Sequence, residues 1–190
     1  MTAGPGRPVF LTGMMGAGKT TVAPLLAAAW DVPWIDLDTR IARIFGATTR
    51  ALFARGEAQF RRCEHQALRL LLAEPGLGAR TVVVATGGGV VVDPNNRALM
   101  AAAGRVVLLE VSLDELARRL LTPAARVHRP LLAGDPAVVR ARLAELFSRR
   151  RSAYAEADVV VDAEGSPQDA VHRLLSAFSE EPQDGVRPHR

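Results

Sequence analysis

Gly13, Gly18, Lys19 and Thr20 stand at the spacing G-x-x-x-x-G-K-T, inside Val9-Phe-Leu-Thr-Gly-Met-Met-Gly-Ala-Gly-Lys-Thr-Thr-Val22. This is the pattern of a phosphate-binding loop. Glycines at 13, 16 and 18 let the backbone take positive φ and bring its amides close to an anion. Those N–H groups, from Gly13 through Gly16, Ala17, Gly18, Lys19, Thr20 and Thr21, form a concave site with the first turn of the next helix. The Lys19 ammonium would reach the outer phosphates, and the Thr20 hydroxyl offers an oxygen to Mg²⁺. Lys19 is the only lysine in the chain; every other fixed positive side chain is arginine. A compact point charge is thus kept where a phosphate needs one.

Five further groups could carry chemistry. Asp36 and Asp38 follow an apolar run, so both can project near the phosphates. One suits Mg²⁺; the other suits binding a substrate hydroxyl or removing its proton. A helix N-cap at Asp38 is compatible with either role. Gly87-Gly88-Gly89 would make a poor strand or helix and a good floor for a small ligand. Arg61 and Arg62 begin a helical stripe, and a guanidinium grips a carboxylate with two parallel bonds; Glu64 stands where it could orient Arg61. Arg129 lies in the long connection 122–135, whose length suits a lid. Of Arg149, Arg150 and Arg151, helical spacing lets one face the site and turns the other two to solvent.

The elements that must position these groups alternate between strand and helix. Val9–Leu11 and Val32–Ile35 read as strands, as do the β-branched run Thr81–Ala85, Val106–Val111 and Val159–Val161. Helices are predicted over Thr21–Trp30, with a kink at Pro24, and over two short stretches ending at Gly46 and near Gly56. Others are predicted over Glu57–Ala73, Asn95–Ala103, from Ser112 to about Leu121 with Glu115 completing a capping box, over Ala137–Tyr154 and from Pro167 to about Phe178. The alternation gives an α/β fold with a parallel sheet, helices on both faces and ligands at the carboxyl ends of the strands.

The 190 residues suit a single domain over 1–179, with a disordered tail over 180–190. No apolar run reaches the roughly 20 residues a bilayer requires, so a cytoplasmic protein is expected. The net charge of +4 comes from scattered arginines, and one tyrosine and two tryptophans leave little for base stacking, which argues against nucleic acid. Cys63 has no partner for an internal disulfide.

Taken in order, the set resembles shikimate kinase. The carrying pieces are Gly-Met-Met-Gly-Ala-Gly-Lys-Thr at 13–20, Trp-Ile-Asp-Leu-Asp at 34–38 and Gly-Glu-Ala-Gln-Phe-Arg-Arg-Cys-Glu at 56–64. Thr-Gly-Gly-Gly at 86–89, Arg-Pro-Leu-Leu at 129–132 and Arg-Ser-Ala-Tyr at 151–154 complete it. The resemblance implies a three-layer α/β/α fold with a five-stranded parallel sheet of order 2-3-1-4-5. It also implies a substrate-binding subdomain over about 37–62 and a lid over about 122–135. It implies transfer of the ATP γ-phosphate to the 3-hydroxyl of shikimate by a monomer that uses Mg²⁺. Carried over, Asp38 resembles the group on the shikimate hydroxyls, and Thr20 with Asp36 the Mg²⁺ site. Arg61, Gly88, Gly89 and Arg151 resemble the shikimate contacts, with Phe53 and Phe60 as pocket walls. Arg129 resembles the lid arginine, and Arg119, or Arg118, the arginine packed near adenine. The rival readings are another small-molecule kinase of this fold, such as a gluconate kinase, and a nucleotide-binding protein without turnover.

Overall fold

The structure is a computed structural model that describes residues 4–122 and 135–180. Its described elements run β1 (Val9–Thr12), α1 (Lys19–Trp30), β2 (Trp34–Asp36), α2 (Leu37–Phe45), α3 (Thr49–Ala54) and α4 (Glu57–Leu72). They continue with β3 (Val83–Ala85), α5 (Pro94–Ala103), β4 (Arg105–Glu110), α6 (Leu113–Leu120), α7 (Pro136–Tyr154), β5 (Val159–Asp162) and α8 (Pro167–Glu180). The five strands pair in parallel in the order β2-β3-β1-β4-β5.

The sheet order follows from burial. β1 up to its last residue Thr12, β3 and most of β4 are apolar and covered, as central strands of a parallel sheet must be. β2 and β5 alternate or are part-exposed, and they take the two edges. Right-handed crossovers place α1 on one face and α4, α5 and α7 on the other. After β5 the chain returns to pack α8 against α1, where Trp30 and Phe178 meet edge to face at 5.2 Å. Among the described residues no helix is long and apolar enough to cross a membrane.

Several local expectations are refined. α1 runs unbroken through Pro24. The aspartates do not share a strand face: Asp36 ends β2 and caps α2 by accepting from Thr39 N at 2.8 Å, so Asp38 falls inside the helix's first turn. The capping box at Ser112 is half made. Ser112 accepts from Glu115 N, but the Ser112 amide donates to Glu164, because Arg118 and Arg119 engage the Glu115 carboxylate. The connection 122–135 that was expected to be a lid lies outside the described residues except at its ends, as does the tail beyond Glu180.

Candidate active site

The phosphate loop joins β1 to α1. Gly13, Gly16 and Gly18 have φ of 138°, 86° and 95°, a region where a side chain would be strained. Gly13 has a second constraint: a Cβ there would lie 2.5 Å from the Leu109 carbonyl of β4. Lys19 Nζ donates to the Gly13 carbonyl at 2.7 Å and the Met14 carbonyl at 3.0 Å. The ammonium is thus held across the mouth of the loop by the loop's own backbone.

Asp36 lies beside the loop. Thr20 Oγ1 donates to Asp36 Oδ2 at 3.2 Å, while the other oxygen of Asp36 caps α2. The two expected metal ligands therefore meet, and both are hard oxygen donors of the kind Mg²⁺ takes. The described residues include no group of three or more His, Cys, Asp or Glu able to hold a metal. A cation on this pair would draw its remaining ligands from phosphate and water, as Mg²⁺ at nucleotide sites does.

The glycine run after β3 is organised by what each missing side chain admits. A Cβ on Gly87 would meet Glu64 Oε1 at 2.9 Å and Asp38 Oδ1 at 3.2 Å. On Gly88 it would meet the Gly13 carbonyl at 3.1 Å and Arg150 Nη1 at 3.5 Å. On Gly89 it would overlap Arg61 Nη2. None of the three has positive φ. Close approach, not backbone freedom, is what requires glycine here. The strip brings Asp38, Glu64, Arg61 and Arg150 together and sets them against the phosphate loop.

Three described charged side chains are buried: Lys19, Glu64 and Arg150. All three lie in this region, and buried charges are rare unless paired. Arg61 Nη1 donates to Glu64 Oε2 at 2.7 Å, and Arg61 Nη2 to Glu57 Oε1 at 3.2 Å. Burial works to lower the Arg61 pKa, but Glu64 and Glu57 outweigh it and raise it. Burial pushes the Glu64 carboxyl up, Arg61 and Arg150 oppose the rise, and the negative charge of Asp38 adds to it. The Arg61 guanidinium carbon also lies 5.3 Å from the Phe60 ring centre. Phe60 is buried; Phe53 packs on it at 5.6 Å and is 40% exposed, so one ring is wall and the other rim.

Arg151 requires a correction. Its side chain is exposed, and Arg150 takes the inward position expected of it. Adjacent helical residues differ by about 100°. The inward face of α7 is marked by Tyr154, one turn after Arg150, and by Leu143. Arg149 pairs with Glu145 at the surface. Arg150 Nη1 and the Tyr154 hydroxyl both donate to the Gly88 carbonyl, at 3.0 and 2.7 Å. Burial pushes the Tyr154 phenol up, so it remains a donor. The sequence reading gave Tyr154 no part in this floor; its spacing of four from Arg150 was the available signal.

A second brace was also missed. Buried Asn96 donates through Nδ2 to the Val90 carbonyl at 3.1 Å, so its oxygen faces His65 Nδ1 at 2.7 Å. That oxygen can only accept, which puts the proton on Nδ1. The chain ties the residue after the glycines to α4.

Arg119, not Arg118, faces the loop. Its Nε pairs with Glu115 at 2.7 Å, and its terminal nitrogens donate to the carbonyls of Gly16 and Ala163. Arg118 points outward and shares Glu115, whose carboxyl the two arginines hold at about 2. Arg119 and Pro167 line a cavity of about 220 Å³ beside Ala17, Gly18 and Thr21. Arg129 lies outside the described residues.

The family model for shikimate kinase matches residues 15–179. The chain belongs to the shikimate kinase family. It is 40% identical over 179 residues to a shikimate kinase of Geobacter sulfurreducens, covering 94% of this chain and 93% of that protein. A solved shikimate kinase from Acinetobacter baumannii, in complex with shikimate, superposes with a TM-score of 0.79 at 30% identity, over 91% of this chain and 93% of that one. A gluconokinase from Sinorhizobium meliloti aligns with a TM-score of 0.58 at 18% identity over 94% of each chain, a likeness of fold alone. Members of the shikimate kinase family are ATP-using kinases with the phosphate loop found here.

The floor of this shikimate kinase site gives a direct test. Gly89 has φ −110° and ψ 0°, which alanine adopts, so Gly89→Ala introduces no backbone strain. Its methyl would take the space of Arg61 Nη2. The expected result is a shikimate KM raised about tenfold or more, matching ~1.5–3 kcal/mol for a displaced charged contact, with ATP KM little changed and Tm lowered, because buried Glu64 loses its partner as Arg61 moves. Steady-state kinetics and a thermal melt check it.

Proposed function

We propose that this chain transfers the γ-phosphoryl group of ATP to the 3-hydroxyl of shikimate, giving shikimate 3-phosphate for aromatic amino-acid biosynthesis through chorismate. One observation carries the reading most directly. Two arginines, an aspartate and a buried glutamate converge on a glycine strip that touches the phosphate loop. Shikimate presents one carboxylate and three hydroxyls, and this polarity matches that set.

In this reading the amides of residues 13–21 and the Lys19 ammonium hold the triphosphate. Mg²⁺, when bound by Thr20 and Asp36 with the phosphates, neutralises charge on the transferred group. Arg119 and Pro167 receive the adenine side. Arg61 and Arg150 take the shikimate carboxylate, Gly88 and Gly89 form the floor, and Phe53 and Phe60 bound the ring. Asp38 engages the hydroxyls. The 3-oxygen bonds to the γ-phosphorus as the β–γ bridging bond breaks, ADP leaves, and the hydroxyl proton passes to Asp38 and on to water. Arg129, carried over from the family pattern, would bring a positive charge to the moving phosphoryl group; such arginines contribute roughly 10³–10⁵ in rate where isolated. Most of the catalytic effect is placement and charge neutralisation. A monomer suffices for this reading, since every group named comes from one chain, and a cytoplasmic setting is proposed with it.

A coupled assay for ADP tests it. ADP should appear with shikimate and not with gluconate. Turnover with gluconate, or hydrolysis unaffected by shikimate, would overturn the assignment. In the same assay Arg61→Ala should raise the shikimate KM at least tenfold and leave the ATP KM within about twofold, as loss of a charge-assisted grip predicts.

A further inference from the structure

Arg61 holds two carboxylates that differ in their freedom to leave. Glu64 is buried, wedged against Gly87 and facing Asp38, and it binds Nη1 at 2.7 Å. Glu57 is the first residue of α4, its side chain is 63% exposed, and it binds Nη2 at 3.2 Å. The pairing is with Arg61, one turn on, and not with Arg62, whose side chain is exposed. The Nη2 group that lies over Gly89 is therefore already occupied by an anion of this chain.

A carboxylate ligand that grips a guanidinium with two parallel bonds needs donors on two adjacent nitrogens. The inner nitrogen stays committed to Glu64, whose withdrawal would leave a charge buried without its partner. The outer one can be exchanged, because exposed ion pairs are weak and Glu57 can return to water. The charged groups around Arg61 are Glu57 and Glu64 of its own helix, Asp38 of α2 and Arg150 of α7. Glu57 is the exposed partner of Arg61 in that set.

We propose that Glu57 is a stand-in for the substrate carboxylate: it holds the outer donor of Arg61 and gives way when the ring acid binds. It thereby sets the threshold of affinity that every acid at this site must clear. An anion that offers only a charge gains little by replacing one carboxylate with another. An anion that also brings hydroxyls to Asp38 and the glycine floor gains those contacts as well. The site is closed to simple acids by competition from within. This inference rests on the reading of Arg61 as the residue that takes the shikimate carboxylate.

The test uses the full-length enzyme with Glu57→Gln and Glu57→Ala. The measurements are the shikimate KM and the inhibition constants of acetate and benzoate against shikimate. Both variants should lower the shikimate KM by about two- to fivefold, the range an exposed ion pair commands. Both should lower the acetate and benzoate inhibition constants by a similar factor, since each acid displaces the same carboxylate, with the ATP KM unmoved. A shikimate KM that stays constant or rises in both variants would overturn the proposal, and Glu57 would then be a plain helix pair or a clamp on Arg61. Arg61→Ala separates the two levels. If it leaves the shikimate KM unchanged, the reading of Arg61 itself fails. If it raises that KM while the Glu57 variants lower nothing, only the stand-in fails.

Discussion

Asp38→Asn will lower kcat by about 10²–10⁴ while ATP still binds, the loss typical when a positioned proton acceptor is removed. The replacement keeps the size and shape of the side chain, so it isolates the charge. Asp38 lies in the first turn of α2, and its Oδ1 faces the same glycine as Glu64. Glu64 cannot take over the role. It is buried and committed to Arg61. The shikimate KM should change less than kcat, because the amide retains a hydrogen bond to a hydroxyl. Single-turnover kinetics with a separate ATP-binding measurement would check this. A kcat within threefold of the parent would show that Asp38 only positions the hydroxyl, and that the proton leaves directly to water.

The second large effect distinguishes two adjacent residues. Arg150→Ala should raise the shikimate KM by roughly 10- to 100-fold, matching ~1.5–3 kcal/mol for a lost charge-assisted bond. Arg151→Ala should change it by less than twofold, because that side chain faces solvent. Arg150→Lys should recover little, since an ammonium lacks the planar fork. Arg150→Ala will also lower Tm, because Glu64 and the Gly88 carbonyl each lose a partner. The KM comparison, read with the melts, carries the assignment. The reverse order of effects would restore Arg151 as the ligand-facing arginine.

The error at this pair shows where legibility in the sequence stopped. The phosphate loop was readable because its chemistry sits in consecutive residues at fixed spacing. The strand order followed from the resemblance, and the fully apolar runs at Val9–Leu11 and Thr81–Ala85 marked buried strands. The pairs Asp36/Asp38 and Arg61/Arg62 stood out by local pattern, and the resemblance chose Asp38 and Arg61 from them. Arg150 was not, because three consecutive arginines carry no internal phase; the phase comes from Tyr154 and Leu143 packing inward. The Asp36 cap escaped for a related reason: either aspartate could have ended the strand, and tertiary pairing of Trp34–Asp36 with β3 chose the first. The glycine run was recognised, but its cause was not. Its hydrogens make room for protein side chains as well as for a ligand.

Gly88 lies within contact distance of both the Gly13 carbonyl and the Arg150 guanidinium. In the function proposed above, donor and acceptor chambers therefore share a wall one peptide thick. A single molecule joining a polyphosphate to a cyclohexene acid would need only a short bridge, and would gain from reaching both halves at once. By the same geometry, a bulky residue at 88 would push the two chambers apart together.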